Sequence, residues 1–232
     1  MTESLVVLYE DPHCLAVAKP AGILTQGTPG TEATLETAVR RYLGAEGPRS
    51  VYLGTVHRLD RPVSGVVVWA KTPKAARRLA DQFARRLVRK EYWAIAERDA
   101  SEIDAEGTWD DWLTNVGARG VARVVDPETP GARRAVTRFR KGLGARLPAG
   151  TAWLRLWPET GRTHQLRAQS ARRGLAIVGD AGYGAVRPWA PGIALHARVL
   201  EVQHPVSRRV LTWIAPLPAA WGKQGIEIPL AL

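Results

Sequence analysis

The sequence predicts an α+β fold, a mixed and mainly antiparallel β-sheet flanked by helices, on three observations. Strand-like segments outnumber helical ones, and several alternate apolar with polar residues, as strands covered on one face do. The order of elements also does not repeat β-α-β, which argues against a doubly wound sheet or a barrel of eight βα units.

In chain order, strands are expected at 4–9 and 14–19, a helix at 32–43, a strand at 66–71 and a helix at 73–88. Thr72 caps that second helix with Pro73 at its first position, and Ala76, Leu79, Ala80, Phe83 and Leu87 give it an apolar stripe. Strands follow at 91–97, 121–125, 135–140 and 151–157, the last reading Ala152-Trp153-Leu154-Arg155-Leu156-Trp157 in clear alternation. A third helix is expected at 164–173, with Thr163 as N-cap and Gly174 as its stop, and then strands at 194–202 and 209–215. The stretches at 20–30, 44–54, 127–131 and 142–150 read as loops, and 98–131 carries no recognisable code. Nine tryptophans against two phenylalanines lie mostly in these strands and are expected to fill the core.

With 232 residues, 45% hydrophobic and 24% charged, the chain can bury a core, which excludes a disordered tail or a disulfide-stapled miniprotein. Its longest apolar runs, Leu5 to Tyr9 and Val66 to Ala70, fall far short of the roughly 20 residues that span a bilayer. The opening MTESLVVLYEDPH lacks the cationic region and apolar stretch of an export signal, so a cytoplasmic protein is expected. A lone cysteine, Cys14, excludes an intrachain disulfide, a multi-cysteine zinc site and a CxxC redox pair.

The charge balance is the first positive clue. Thirty-three Lys and Arg against 22 Asp and Glu leave +11, which suits a polyanionic partner. Between Lys71 and Glu91, eight basic residues face two acids, a local net of +6. Lys74, Arg77, Arg78, Arg85, Arg86 and Arg89 fall largely opposite the apolar stripe, as a solvated face or as a face that tracks phosphates.

Two polar clusters can carry chemistry. His57, Arg58, Asp60 and Arg61 lie on a loop feeding the most apolar strand of the chain, and the flanking arginines favour the ionised form of Asp60. Such a carboxylate suits nucleophilic attack or stabilisation of a cationic sugar; the alternative is a salt bridge that closes a turn. The segment 154–174 reads as strand, turn and helix, with Arg162 and the first helical amides open to an anion. Arg167 lies one turn into that helix on the side shared with His164, and Asp60 is the carboxylate best suited to pair with it. Alternation in 90–95 puts Tyr92 on one face of a strand, as a core ring or as one that stacks on a planar ligand. His57, His164, His196 and His204 are too scattered for paired metal-ligand spacing and read as hydrogen-bonded structural histidines.

These segments resemble the RluA-type pseudouridine synthases. HRLD at 57–60, Ser64-Gly65, Ala70-Lys71-Thr72, KEYWA at 90–94, TGRTHQLR at 160–167, GDAGYG at 179–184, LHA at 195–197 and His204-Pro205 all carry the likeness. Upstream, YEDPHCLAVAKPAGI at 9–23 is similar to the opening of the same catalytic domain. The resemblance implies the pseudouridine synthase fold and isomerisation of uridine in ribosomal or transfer RNA, with no cofactor and no metal. It makes Asp60 the catalytic aspartate, Tyr92 the ring on the target uracil and Arg167 the cationic partner of the aspartate. By the same likeness Leu166 packs near the base and Arg58 contacts the RNA, while Arg162 and His57 are expected to contact the substrate from their places in the two polar clusters. The likeness departs at Arg61-Pro62-Val63, where relatives carry a segment ending in threonine. A single catalytic domain over 1–232 is expected, without a separate amino-terminal RNA-binding domain. Two other readings remain: an RNA-binding or chaperone module without turnover, and an N-glycoside hydrolase with Glu159 or Asp180 as second carboxylate.

Overall fold

The computed structural model describes residues 5–27, 33–44, 51–114, 116–117 and 120–229. The chain divides into two compact units, Met1–Lys90 with Ala197–Pro216, and Glu91–His196 with Leu217–Leu232.

In the first unit, β1 (Val6–Glu10), β2 (Cys14–Lys19) and β4 (Ser64–Ala70) form consecutive antiparallel ladders, and the short β3 (Gly54–Thr55) pairs with the end of β4. From β10 (Leu195–Gln203) the stretch Ala197–Gln203 continues this sheet, followed by β11 (Val210–Ile214). All seven residues of β4 are buried, which is why it reads as an unbroken apolar run and not as an alternating one. A Cβ on Gly65, at φ 125°, would lie 2.3 Å from the Ala197 carbonyl oxygen, so only glycine lets β4 and β10 approach there. Helix α1 (Leu35–Tyr42) is shorter than expected and is capped by Thr34.

Helix α2 (Pro73–Ala84) starts as the sequence indicates, with the Thr72 hydroxyl accepting from the Ala75 N–H at 3.2 Å and Pro73 at its first position. Its buried Ala75 and Leu79 pack among Val66, Val68 and Trp213. The helix stops four residues before the expected end. The Arg86 N–H reaches the Phe83 carbonyl and the Leu87 N–H the Gln82 carbonyl, a Schellman closure with Arg86 at φ 58°. Leu87, expected in the apolar stripe, is therefore turned out and 54% exposed.

In the second unit the order is β5-β9-β8-β6-β7, all antiparallel: β5 (from Glu91 within Arg89–Ala96), β9 (Ala152–Pro158), β8 (Arg133–Lys141), β6 (Glu106–Leu113) and β7 (Val124–Val125). Strand β6 falls in the stretch expected to be loop. It hides because Asp111 takes the inward position between the buried Trp109 and Leu113, where alternation calls for an apolar residue. Arg173 and Gln169 answer that carboxylate at 2.9 and 2.7 Å. Of the expected strand at 121–125, only the last two residues pair.

Helix α3 (Gln165–Arg172) lies on this sheet through Gln165 and Gln169, which both bond to the buried Thr137 hydroxyl. Its N-cap is His164 in the left-handed region, not Thr163, because the turn into the helix needs a conformation that a β-branched residue resists. Gly174 ends it in a second Schellman closure, as expected. A short helix α4 (Ala219–Lys223), unforeseen, buries Trp221 in this unit. Six of the nine tryptophans are buried, so core filling is their main job. Among the described residues no helix is long and apolar enough to cross a membrane.

Candidate active site

Asp60 sits on the loop entering β4, and the main chain on both sides of it is pinned to segment 19–25. The buried Thr25 hydroxyl donates to the Leu59 carbonyl at 2.8 Å and accepts from the Leu59 N–H at 3.1 Å. On the other side, the Arg61 carbonyl accepts from the Gly22 N–H at 2.9 Å and from the Lys19 ammonium at 3.1 Å. The Arg61 side chain returns a bond to the Gly22 carbonyl, and the Val63 N–H closes the turn onto the Asp60 carbonyl. Leu59 and Val63 are buried. Leu59 and Arg61 are thus fixed through backbone groups on either side of Asp60.

Lys19 is itself buried and donates to three carbonyls, those of Pro20, Ile23 and Arg61. Burial pulls its ammonium down to about 7, against the opposing pull of the negative Asp60. No role for Lys19 or Thr25 emerges from the sequence alone. The signal was present in the KPAGILT run at 19–25, but its partners lie about 35 to 40 residues away.

Tyr92 stands on β5 opposite Leu156, which in turn lies opposite Phe139. Tyr92 therefore shares a sheet face with Phe139 and Thr137, the face that α3 covers. Its expected placement on one face of the strand holds, and Leu166 and Arg167 belong to the helix on that same side.

Arg167 is buried and grips Asp180 by two parallel bonds, Nε to Oδ2 at 2.7 Å and Nη2 to Oδ1 at 2.8 Å. Its guanidinium carbon lies 4.8 Å from the centre of the Tyr183 ring. His164, on the same side of the helix as expected, meets the Tyr183 hydroxyl through Nδ1 at 3.0 Å. The carboxylate that holds Arg167 within its own unit is thus Asp180, which sequence reasoning had offered only as a hydrolytic acid. Glu159, the other such candidate, is exposed and pairs with Arg138 at 3.3 Å.

The remaining expected contacts divide by exposure. Arg58 is exposed on the Asp60 loop. His57 turns inward, its Nε2 accepting from the Val68 N–H at 3.0 Å and its ring stacked on Phe83 at 4.6 Å. Burial, with Lys90 adding to it, drives His57 down to about 3, so the ring is neutral and joins β4 to α2. Arg162 donates through Nε to the Arg134 carbonyl, and its N–H is taken by Gln165. Along the basic segment, Lys74, Arg77, Arg85, Arg86 and Arg89 are exposed. Arg78 is half-buried, bonded to the Pro205 carbonyl at 2.7 Å.

Among the described residues one group with metal-ligand atoms gathers: Asp11, Cys14 and His204, these atoms all within 4.8 Å of one another. His204 Nδ1 accepts from the N–H groups of Val206 and Ser207, so its proton sits on Nε2, which meets Asp11 Oδ2 at 2.7 Å. Burial pushes the Cys14 thiol up to about 12. The bond from Nε2 to Asp11 and the two amide bonds to Nδ1 join these residues in a hydrogen-bonded cluster.

Comparison with known proteins bears on what these parts serve. Residues 13–172 match the RNA pseudouridylate synthase family. An uncharacterised RNA pseudouridine synthase of Synechocystis is 37% identical, over 94% of this chain and 67% of its own length. Ribosomal large subunit pseudouridine synthase D of Pseudomonas aeruginosa is 35% identical, over 92% of this chain and 68% of its own. Among solved structures, human RNA pseudouridylate synthase domain containing 4 shares the fold, with a TM-score of 0.75 at 23% identity, over 97% of this chain and 94% of that one. The chain belongs to the RluA-type RNA pseudouridylate synthases, isomerases that act on RNA.

Proposed function

We propose that this enzyme isomerises uridine in ribosomal RNA in the cytoplasm, with Asp60 as the reacting carboxylate and residues 1–232 working as one catalytic domain. The observation that carries the reading is the clamp on Leu59 and Arg61, which fixes the backbone on either side of Asp60. The ribosomal target is supported by relatives named ribosomal large subunit pseudouridine synthase D, at 35% identity in Pseudomonas aeruginosa and 33% in Escherichia coli.

In the reaction the bond from N1 to C1′ breaks, the uracil turns, and C5 joins C1′. C5 loses its hydrogen and N1 gains one, so atoms balance within the nucleotide and no outside donor is required. Asp60 attacks the sugar, attacks the base, or removes a proton from the sugar; each route begins with an ionised carboxylate. Arg167 supplies the compensating charge that such a carboxylate needs away from water. Tyr92 stacks on the uracil once the nucleotide has left its helix, and Leu166 packs beside it. Arg58 and Arg162 contact the RNA around that nucleotide, and His57 acts on substrate only by shaping the loop. Lys74, Arg77, Arg78, Arg85, Arg86 and Arg89 contribute the electrostatic attraction that offsets unstacking, about a few kcal/mol.

The test is a pseudouridine map of ribosomal and transfer RNA from cells with and without the gene. Loss of one or a few sites in large-subunit ribosomal RNA is the expected result. Unchanged ribosomal RNA would overturn the assignment of substrate.

A further inference from the structure

We infer that Asp180 and Tyr183 are positioning residues of this enzyme, which hold the Arg167 guanidinium at a fixed angle and in a fixed plane. The inference rests on the proposed partnership of Arg167 with Asp60. Arginine has many rotamers, and an unrestrained guanidinium would have to be ordered anew in each turnover. Here two constraints act on different coordinates. The Asp180 carboxylate takes the Nε and Nη2 edge in a fork at 2.7 and 2.8 Å, which sets the in-plane direction. The Tyr183 ring lies 4.8 Å below the guanidinium carbon, which sets the plane.

Both residues come from one tight turn, and its geometry is specific. Asp180 precedes the single 3₁₀ turn Ala181–Tyr183, and its carbonyl accepts from the N–H groups of Tyr183 and Ala185. Gly179, at φ 87°, admits no side chain, because a Cβ would lie 2.4 Å from the Trp189 Cβ. Tyr183 is tied further by its hydroxyl, which accepts from the Ala122 N–H at 2.8 Å and meets His164 Nδ1. The two side chains that touch Arg167 are therefore carried on a rigid base.

The paired carboxylate has an electrostatic consequence. Asp180 offsets part of the Arg167 charge, so directed N–H bonds carry much of what the pair presents to a reacting group. Asp180→Asn separates the two: it leaves Arg167 with an uncompensated positive charge but breaks the fork. A role through charge alone predicts unchanged or faster turnover in that variant. A role through orientation predicts slower turnover.

The experiment measures steady-state kcat and KM on an unmodified transcript of large-subunit ribosomal RNA, with thermal unfolding of each variant. Asp180→Asn is expected to lower kcat by about tenfold to a hundredfold with KM within about twofold. Tyr183→Leu is expected to lower kcat by about tenfold, and Tyr183→Phe, which keeps the ring face, to recover most of that loss. In an Arg167→Met background, Asp180→Asn should add less than about twofold, since its effect runs through the arginine. Full activity of Arg167→Met itself would strike at the proposed role of Arg167. A slow Arg167→Met beside an Asp180→Asn at or above the wild-type rate would overturn the positioning role alone. If Asp180→Asn does not fold, Tyr183→Leu decides: a folded variant with unchanged kcat overturns the inference.

Discussion

The loop around Asp60 is held by its main chain, whereas Arg167 is held by its own side chain. Thr25, Gly22 and Lys19 grip the amide and carbonyl groups of Leu59 and Arg61, on either side of the acid. Asp180 and Tyr183 instead grip the guanidinium directly. Under the proposed function the difference suits two jobs: the loop that carries the reacting acid is set through backbone groups, and the arginine that accompanies the acid is set through its side chain.

The contrast is broken most severely at the acid. Asp60→Asn keeps the hydrogen bonds to Leu59 and the Arg61 carbonyl, and should lower turnover by a factor on the order of 10⁴ or more while RNA affinity stays within about threefold. Comparable turnover in that variant would move the chemistry elsewhere.

A smaller effect is expected from the clamp. Thr25→Val removes a buried hydroxyl that both donates to and accepts from Leu59, at a cost of about 1 to 3 kcal/mol in stability. With Asp60 intact but its loop loosened, kcat should fall by about tenfold. Urea unfolding and turnover assays read the two separately, and an unchanged kcat would mean that the backbone grip does not serve the chemistry.

His57 allows a test by pH. Its pKa is about 3 in the folded protein against 6.5 for the free side chain, so between those values the unfolded chain binds the extra proton. Stability attributable to His57 is therefore full above about pH 6.5 and lost as pH falls toward 3. His57→Gln should flatten the fall in unfolding free energy across that window. An unaltered slope would show that burial does not hold the ring neutral.

The smallest change is expected on the basic segment. Arg85→Ala with Arg86→Ala should make the dependence of log K on log salt shallower by about 1 to 1.5 without altering kcat at saturation. An unchanged slope would return those arginines to ordinary surface charge.

Much of this architecture was legible where local chemistry and long-range packing agree. The β4 run, the Thr72 cap, the Tyr92 face and the Gly174 stop all follow from short-range patterns. The two Schellman closures show the limit: α3 ends on a glycine that announces it, and α2 ends on Arg86, which adopts the same left-handed conformation without a signal. Strand β6 escaped because Asp111 points inward and is answered by Arg173, about sixty residues on. Of the proposed catalytic residues, Asp60, Tyr92 and Arg167 could be named from motifs. The residues that hold the Asp60 loop, Lys19 and Thr25, and those that hold Arg167, Asp180 and Tyr183, are defined by contacts that no spacing rule encodes.

The most direct test is release of tritium from RNA labelled at uridine C5, because joining C5 to C1′ sends that hydrogen to water. Wild-type protein should release tritium without freeing uracil, and Asp60→Asn should bind the same RNA and release none. Tritium release by Asp60→Asn at the wild-type rate would contradict the account.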